Sequence, residues 1–259
     1  MGYIYPLLHI SRQKLTLETM KAIAVIPARL ASTRLPGKML REIAGEPLIS
    51  HVYRGVRSCS MLADVIVATD SDEIFQHCRS VGFHVLMTST SCRNGTERVH
   101  EMSNSISADM YINVQGDELL ARAEHIQALL DLMKNLETPV GTLKVAAVAE
   151  DIANPHAVKV VTDGNGNALY FSRSTIPYDR DGTKPAYFKH LGFYAYRKDA
   201  LDRYVSLPES PLEQSERLEQ LRFLENGIPI RVAETSHDTI RIDAPEDLQK
   251  AAEILRAEK

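Results

Sequence analysis

Three cations, Arg29, Arg34 and Lys38, share one loop with small and hydroxyl residues, Ala31, Ser32 and Thr33 among them, in the segment Pro27-Ala28-Arg29-Leu30-Ala31-Ser32-Thr33-Arg34-Leu35-Pro36-Gly37-Lys38. Backbone N–H groups in such a loop can cradle phosphates, and three positive charges can neutralise a triphosphate and the charge that grows on a pyrophosphate leaving group. Each charge-assisted hydrogen bond of this kind contributes roughly 1.5–3 kcal/mol. The same composition also suits a solvated basic loop. It is not the phosphate loop of P-loop NTPases, because the first glycine and the hydroxyl residue after the lysine are missing.

The elements that must hold this loop follow a βαβ rhythm from Lys21 onward. Strands are expected at Ala22–Ile26, Asp64–Thr69, His84–Met87 and Met110–Val114, with helices from about Pro47 to Ser58, from Ser71, and around Glu97–Met102. This predicts an α/β fold with a doubly wound, mainly parallel sheet. Ligands of such sheets bind beyond the carboxyl ends of the strands, which here run into Pro27-Ala28-Arg29, Thr69-Asp70 and Gln115-Gly116-Asp117. After Asn154 the pattern turns to strands without obvious helices, at Val158–Thr162, Ala168–Phe171 and Lys189–Tyr196, which reads as an antiparallel insertion over about 154–197. A long helix from Pro211 to Asn226, a stop at Gly227, a strand Ile230–Ala233 and a helix Ala244–Ala257 complete the reading. Residues 1–19 show no periodicity and read as a tail before a second methionine, Met20, so that 20–259 form the working domain.

Composition narrows the partners. A net charge of −4 argues against bulk nucleic-acid binding. No apolar run approaches the roughly 20 residues that span a bilayer, and Tyr3–Ile10 lacks the basic flank and cleavage pattern of a signal peptide. Cys59, Cys78 and Cys92 form neither a disulfide framework nor a zinc spacing, which fits a reducing cytoplasm.

Two carboxylates, Asp117 and Asp243, each close a strand-like run, and a magnesium ion bridging phosphates needs only one or two protein carboxylates. Spacing alone leaves the pair open, because only a fold can bring them together. Asp243 also suits a helix N-cap ahead of Ala244-Pro245-Glu246. Gly95-Thr96-Glu97-Arg98 reads equally as a glycine-assisted close approach to a ligand and as a capped helix start. The histidines His51, His77, His84 and His125 show no metal spacing and no partner for a nucleophile, and the glycine pattern of dinucleotide-binding folds is absent.

Taken together, the loop ending in Ser32-Thr33-Arg34-Leu35-Pro36-Gly37-Lys38 and the segments Val67-Ala68-Thr69-Asp70, Asn94-Gly95-Thr96-Glu97-Arg98, Asn113-Val114-Gln115-Gly116-Asp117-Glu118, Tyr170-Phe171-Ser172-Arg173, Lys189-His190-Leu191-Gly192 and Leu218-Glu219-Gln220-Leu221-Arg222 resemble the sugar-acid cytidylyltransferases of the CMP-Kdo synthetase family, from about Lys21 to the C terminus. The resemblance implies transfer of CMP from CTP to 3-deoxy-manno-octulosonate (Kdo), releasing pyrophosphate and supplying lipopolysaccharide or capsule synthesis. It implies Mg2+ on Asp117 and Asp243 and a catalytic role for Arg29 and Lys38 beside them. CTP would be held by Arg29, Ser32, Arg34, Lys38, Thr69, Asp70, Gly95, Thr96, Arg98 and Gln115. The sugar acid would be held by Gln115, Arg173, His190, Tyr194, Glu219 and Gln220, and a homodimer is expected. Taken singly, Tyr194 also suits a core position and Glu219 a solvated helix face. A related acid such as 8-amino-Kdo or a sialic acid, or a catalytically silent nucleotide-binding regulator, is the alternative. Two positions depart from the family pattern: Leu119 stands where proline is usual, which is expected to loosen the turn beside Asp117, and Arg241-Ile242 stands where Gly-Val is usual. The added Arg241 cation is expected either to alter phosphate binding or to point to solvent.

Overall fold

The computed structural model describes residues 20–30 and 35–257, so the tail at 1–19 and the loop residues 31–34, including Ser32 and Arg34, lie outside the described residues. The first half alternates strands and helices: β1 (Ala22–Ala28), the short β2 (Glu42–Ile43) and β3 (Glu46–Pro47), α1 (Leu48–Arg57), β4 (Asp64–Thr69), α2 (Asp72–Ser80), β5 (Val85–Met87), α3 (Gly95–Ser105) and β6 (Met110–Val114). β4 and β6 flank β1 in parallel, and β5 adds parallel to β4. Every residue of β1 is buried, as expected for a strand covered on both faces. Its side chains alternate between two apolar layers: Ala24 and Ile26 pack in one, Ile23 and Val25 in the other.

The second half continues through β7 (Glu118–Leu119), α4 (Ala123–Leu132), β8 (Val140–Ala146), α5 (Ala149–Ile152), β9 (Lys159–Thr162), β10 (Ala168–Ser172) and β11 (Phe188–Tyr196). It ends with α6 (Lys198–Ser206), α7 (Pro211–Glu216), α8 (Leu221–Glu225), β12 (Ile230–Glu234), β13 (Ile240–Arg241) and α9 (Pro245–Ala257). The strands of the 154–197 stretch are antiparallel to their neighbours, and they extend the same sheet as β1. β11 is the pivot of that sheet. Its Phe193–Tyr196 part pairs with β6, its opposite edge pairs with β8, and Lys189 reaches β9.

A register shift lies between Leu191 and Tyr194 where β11 pairs with β8. Gly192 sits in it, accepting a hydrogen bond from Gln115 N at 3.0 Å and donating one to Glu118 Oε1 at 3.0 Å. A Cβ at this glycine would stand 2.4 Å from Glu118 Oε1, so the close approach requires glycine.

One expected element is different. The helix read over Pro211–Asn226 is broken into α7 and α8, with Arg217 in the left-handed region at φ 55°. Ser210 and Glu213 form a capping box that starts α7, and the buried Arg222 folds back to donate to Glu213 at 2.7 and 2.6 Å. That buried pair satisfies both charges, and the break between its partners turns Leu218, Glu219 and Gln220 toward a cleft. The α4, β8 and α6 elements carried no sequence assignment. Among the described residues, no helix is long and apolar enough to cross a membrane.

Candidate active site

A two-residue ladder does what sequence spacing cannot. β7 and β13 pair antiparallel, Leu119 with Ile240 and Glu118 with Arg241, and Ile242 N donates to Asp117 O at 3.0 Å. Asp117 precedes one strand and Asp243 follows the other, so the ladder sets the two carboxylates side by side. The turn at Asp117 is closed, not loosened: Leu119 N donates to Asp117 O at 3.2 Å, a bond that a proline could not make, and the Leu119 side chain is buried in the core.

Lys38 lies between the carboxylates, with Nζ 2.7 Å from Asp117 Oδ2 and 3.2 Å from Asp243 Oδ1. It is buried, and the left-handed Gly37 (φ 67°) turns the chain into the single 3-10 turn that carries it. Arg241 does not point away to solvent. Its Nε lies 3.5 Å from Asp117 Oδ2 and 3.3 Å from Asp243 Oδ2. Burial alone pushes the Asp117 carboxyl up, but Arg241 and Lys38 outweigh it and hold the group below its ordinary range. Asp117 in turn raises Arg241 further. Asp243 stands two residues ahead of Pro245, the first residue of α9, and the Asp247 carboxylate accepts from the N–H groups of both Asp243 and Ala244 at 2.8 Å.

The donor set suits a hard divalent cation. Two carboxylates share one ammonium, which holds their oxygens within a few ångströms of a common point. No cluster of three or more ligating side chains exists among the described residues, so phosphate oxygens and water would complete a shell, the usual pattern for Mg2+.

Elsewhere on the site aromatic rings surround titratable groups whose charge burial disfavours. Thr142 Oγ1 donates to Phe193 O at 2.7 Å and so accepts from His190 Nε2 at 2.9 Å, which assigns the imidazole proton to Nε2 and leaves Nδ1 as an acceptor. Phe171 lies edge-on to the ring at 4.8 Å and Tyr194 tilts against it at 5.3 Å. Burial, with Arg241 adding to it, pushes His190 down to about 3. Glu219 is pushed up to about 7 by burial, against the pull of the Thr96 N–H that donates to it at 3.3 Å. Gln115 Nε2 lies 3.5 Å from the other oxygen of Glu219. Gln220 Nε2 is buried with no hydrogen-bond partner among the described residues.

These two parts of the site face a cleft of about 900 Å³. Of the expected residues, Arg29, Gly95, Gln115, Arg173, His190, Tyr194, Glu219, Gln220 and Asp243 line it. Lys38 and Asp117 lie behind Asp243 and Arg241. Thr69, Asp70, Thr96 and Arg98 are not among the lining residues. Arg98 is buried and donates to Asp70 at 2.8 Å and to Thr88, tying β4 to the end of β5, while Thr69 Oγ1 accepts from Ser71 N at 3.1 Å. The Gly95 segment is indeed a capped helix start, with Asn94 Oδ1 accepting from Glu97 N at 2.9 Å. A Cβ on Gly95 would lie 2.7 Å from Gln115 Nε2, so the glycine also lets this backbone approach the Gln115 side chain. Arg173 lines the cleft, but it spends Nε on Glu216 O at 2.7 Å and Nη1 on Pro155 O at 3.1 Å, clipping β10 to the end of α7.

Two further residues escaped the sequence reading. Glu118 is buried between Gly192 N and Thr239 Oγ1, and burial followed by Asp117 raises its carboxyl. Lys189 bridges Asp151 at 3.0 Å and Asp238 at 2.7 Å on the cleft wall. The only available signals were their positions next to Asp117 and His190.

Comparison with known proteins agrees with this geometry. The sequence profile of the cytidylyltransferase family matches residues 23–236. The 3-deoxy-manno-octulosonate cytidylyltransferase of Koribacter versatilis is 61% identical over 240 residues, covering 92% of each chain. Its Escherichia coli counterpart is 44% identical, covering 92% of this chain and 97% of its own. A solved CMP:2-keto-3-deoxy-manno-octonic acid synthetase complexed with CTP superposes with a TM-score of 0.87 at 44% identity, covering 92% of this chain and all of its own. A glucose-1-phosphate thymidylyltransferase structure from Bacillus anthracis, at 14% identity and TM-score 0.64, shares the fold. On that profile match and those identities, the chain belongs to the cytidylyltransferase family, among the 3-deoxy-manno-octulosonate cytidylyltransferases.

Proposed function

We propose that the protein transfers CMP from CTP to the anomeric hydroxyl of Kdo, giving CMP-Kdo and pyrophosphate, in the cytoplasm and as a homodimer. The observation that carries this reading is the make-up of the site: the paired charges of Lys38, Asp117, Asp243 and Arg241 adjoin a cleft whose lining includes His190, Tyr194, Glu219 and Gln220. A triphosphate belongs at the first and a polyhydroxy acid at the second. The relatives named above support the choice of CTP and Kdo.

The anomeric oxygen attacks the α-phosphorus of CTP in line. The new P–O bond forms as the bond to the β-phosphate bridging oxygen breaks, pyrophosphate leaves with that electron pair, and the hydroxyl proton passes to solvent. Catalysis is then positioning and charge stabilisation. Arg29 and Lys38 neutralise charge growing on the leaving group. His190 Nδ1 accepts from an acid hydroxyl, and the buried Gln220 amide donates to an acid oxygen. Gly95 and Gln115 bring backbone and amide together where the base and the acid meet. Asp117 and Asp243 would hold Mg2+, which when bound supplies Lewis-acid polarisation of the phosphate and a lowered pKa for the attacking hydroxyl. CMP-Kdo then serves lipopolysaccharide or capsule synthesis.

The test is pyrophosphate release with CTP, Kdo and Mg2+, run against UTP, ATP and GTP and against 8-amino-Kdo and a sialic acid. Turnover should require CTP and be greatest with Kdo. Comparable efficiency with a purine triphosphate, or no release with any acid, removes the assignment.

A further inference from the structure

Arg241 is placed where the metal reading puts charge of the same sign. Its backbone is pinned: it sits opposite Glu118 in the β7–β13 ladder, and the next residue donates to Asp117 O. The Arg241 side chain is 42% exposed and its Nε lies 3.5 and 3.3 Å from Asp117 and Asp243, whereas that of Lys38, 9% exposed, sits at 2.7 Å from Asp117. Among the described residues two carboxylates therefore face two cations, the lysine buried and the arginine partly open to solvent.

We infer that Arg241, together with Lys38, is the protein's own substitute for the divalent ion: it neutralises the carboxylate pair in the nucleotide-free enzyme, so that metal enters with the triphosphate and not ahead of it. The inference rests on the metal reading of Asp117 and Asp243 above. Charge decides the order. Lys38 and Arg241 already match the charge of the two carboxylates, so a divalent ion arriving alone adds a double positive charge that this pair of carboxylates no longer compensates. An ion arriving with four phosphate charges does not. Arg29 at the cleft offsets part of the excess, and the Arg241 guanidinium moves from carboxylate to phosphate oxygens, two acceptors its planar fork binds in the same manner. Metal and nucleotide are then positively coupled, each raising the affinity for the other by the same factor.

The test titrates Mn2+ into the nucleotide-free full-length protein, reading free Mn2+ by electron paramagnetic resonance. The Arg241→Gln variant should bind Mn2+ at least ten-fold more tightly than the parent, and Arg241→Lys, which restores the charge, should return most of the way to it. Equal affinities for parent and Arg241→Gln, or no detectable binding to either, overturn the inference. Adding Asp243→Asn to Arg241→Gln separates this from the underlying reading. Loss of the tight Mn2+ site places the ion on the carboxylate pair. Retention of the site removes the metal reading itself, and the inference with it. Circular dichroism melts of each variant confirm folding.

Discussion

The two ends of the cleft solve the problem of polar groups out of water in opposite ways. At the proposed phosphate end, buried charges are matched: Lys38 and Arg241 stand within 3.5 Å of Asp117 and Asp243, and they hold the Asp117 carboxyl below its ordinary range. At the proposed acid end charge is disfavoured, with His190 pushed down to about 3 and Glu219 pushed up to about 7 by burial. A matched ion cluster can exchange partners with an incoming polyanion at little electrostatic cost. A wall of low charge can sort hydroxyl patterns without attracting every anion in the cell. One cleft can thus grip hard at one end and discriminate at the other.

The sharpest way to break this comparison is at the phosphate end. Asp117→Asn and Asp243→Asn should each lower kcat by at least about a hundred-fold at any Mg2+ concentration, with the double variant little worse than either single, because residues that act as one unit do not add. Steady-state rates with circular dichroism as folding control decide it; near-normal turnover by Asp243→Asn would remove the pair.

Smaller effects are expected at the acid end. Thr142→Val takes away the hydroxyl that fixes the His190 tautomer, so KM for the acid should rise by roughly ten-fold while KM for CTP stays put. A parallel rise for both substrates would mean that the strand, not the imidazole, was disturbed.

Stability should report the suppressed charges. A carboxyl raised from 4.5 to about 7 favours folding below pH 4.5, and that advantage is lost as pH rises through 7. Removing the ionisable group with Glu219→Gln should therefore flatten the alkaline limb of stability between pH 5 and 8, by on the order of 3 kcal/mol. His190 works in the other direction. Its neutral form is favoured on folding, so its contribution is present above pH 6.5 and is lost as pH falls toward 3. Urea melts across pH measure both limbs, and unchanged slopes in Glu219→Gln would deny that the carboxyl is shielded.

The smallest change belongs to Arg173→Ala. Its donors are held by the carbonyls of Glu216 and Pro155, so the loss should be about 1 kcal/mol, a fall in Tm of roughly 2–4 °C. A selective loss of acid binding with unchanged Tm would mean that Arg173 acts chiefly on the acid.

Much of the parallel half was legible because Ala22–Ala28, Asp64–Thr69 and Met110–Val114 are short β-branched runs between amphipathic stretches. The break at Arg217 was not. Its apolar spacing continues as one helix, and the interruption is held by contacts that spacing does not show, the buried Arg222–Glu213 pair and the bonds of Ser172 and Arg173 to Glu216. The motif residues divided for a related reason. A motif shows which residues cluster, not which side of a wall they take, so Arg98 and Thr96 turn out to brace the wall while Gly95 lines it. Arg241 stood out in sequence only as a departure; its direction depends on a ladder between strands of two residues each.

That short ladder has a consequence for how the protein can change. It works as a clasp: the chain leaves it at Glu118–Leu119, builds the strands and helices that carry His190, Tyr194, Glu219 and Gln220, and returns to it at Ile240–Arg241. Nearly the whole of the discriminating wall is therefore enclosed between two residues of anchorage on either side. Substitutions inside that span can remodel which acid is admitted, while the clasp keeps the carboxylates in place. Exchange of the enclosed segment between relatives, cut at the clasp, is accordingly the natural route to enzymes with new acid preferences and the same triphosphate end.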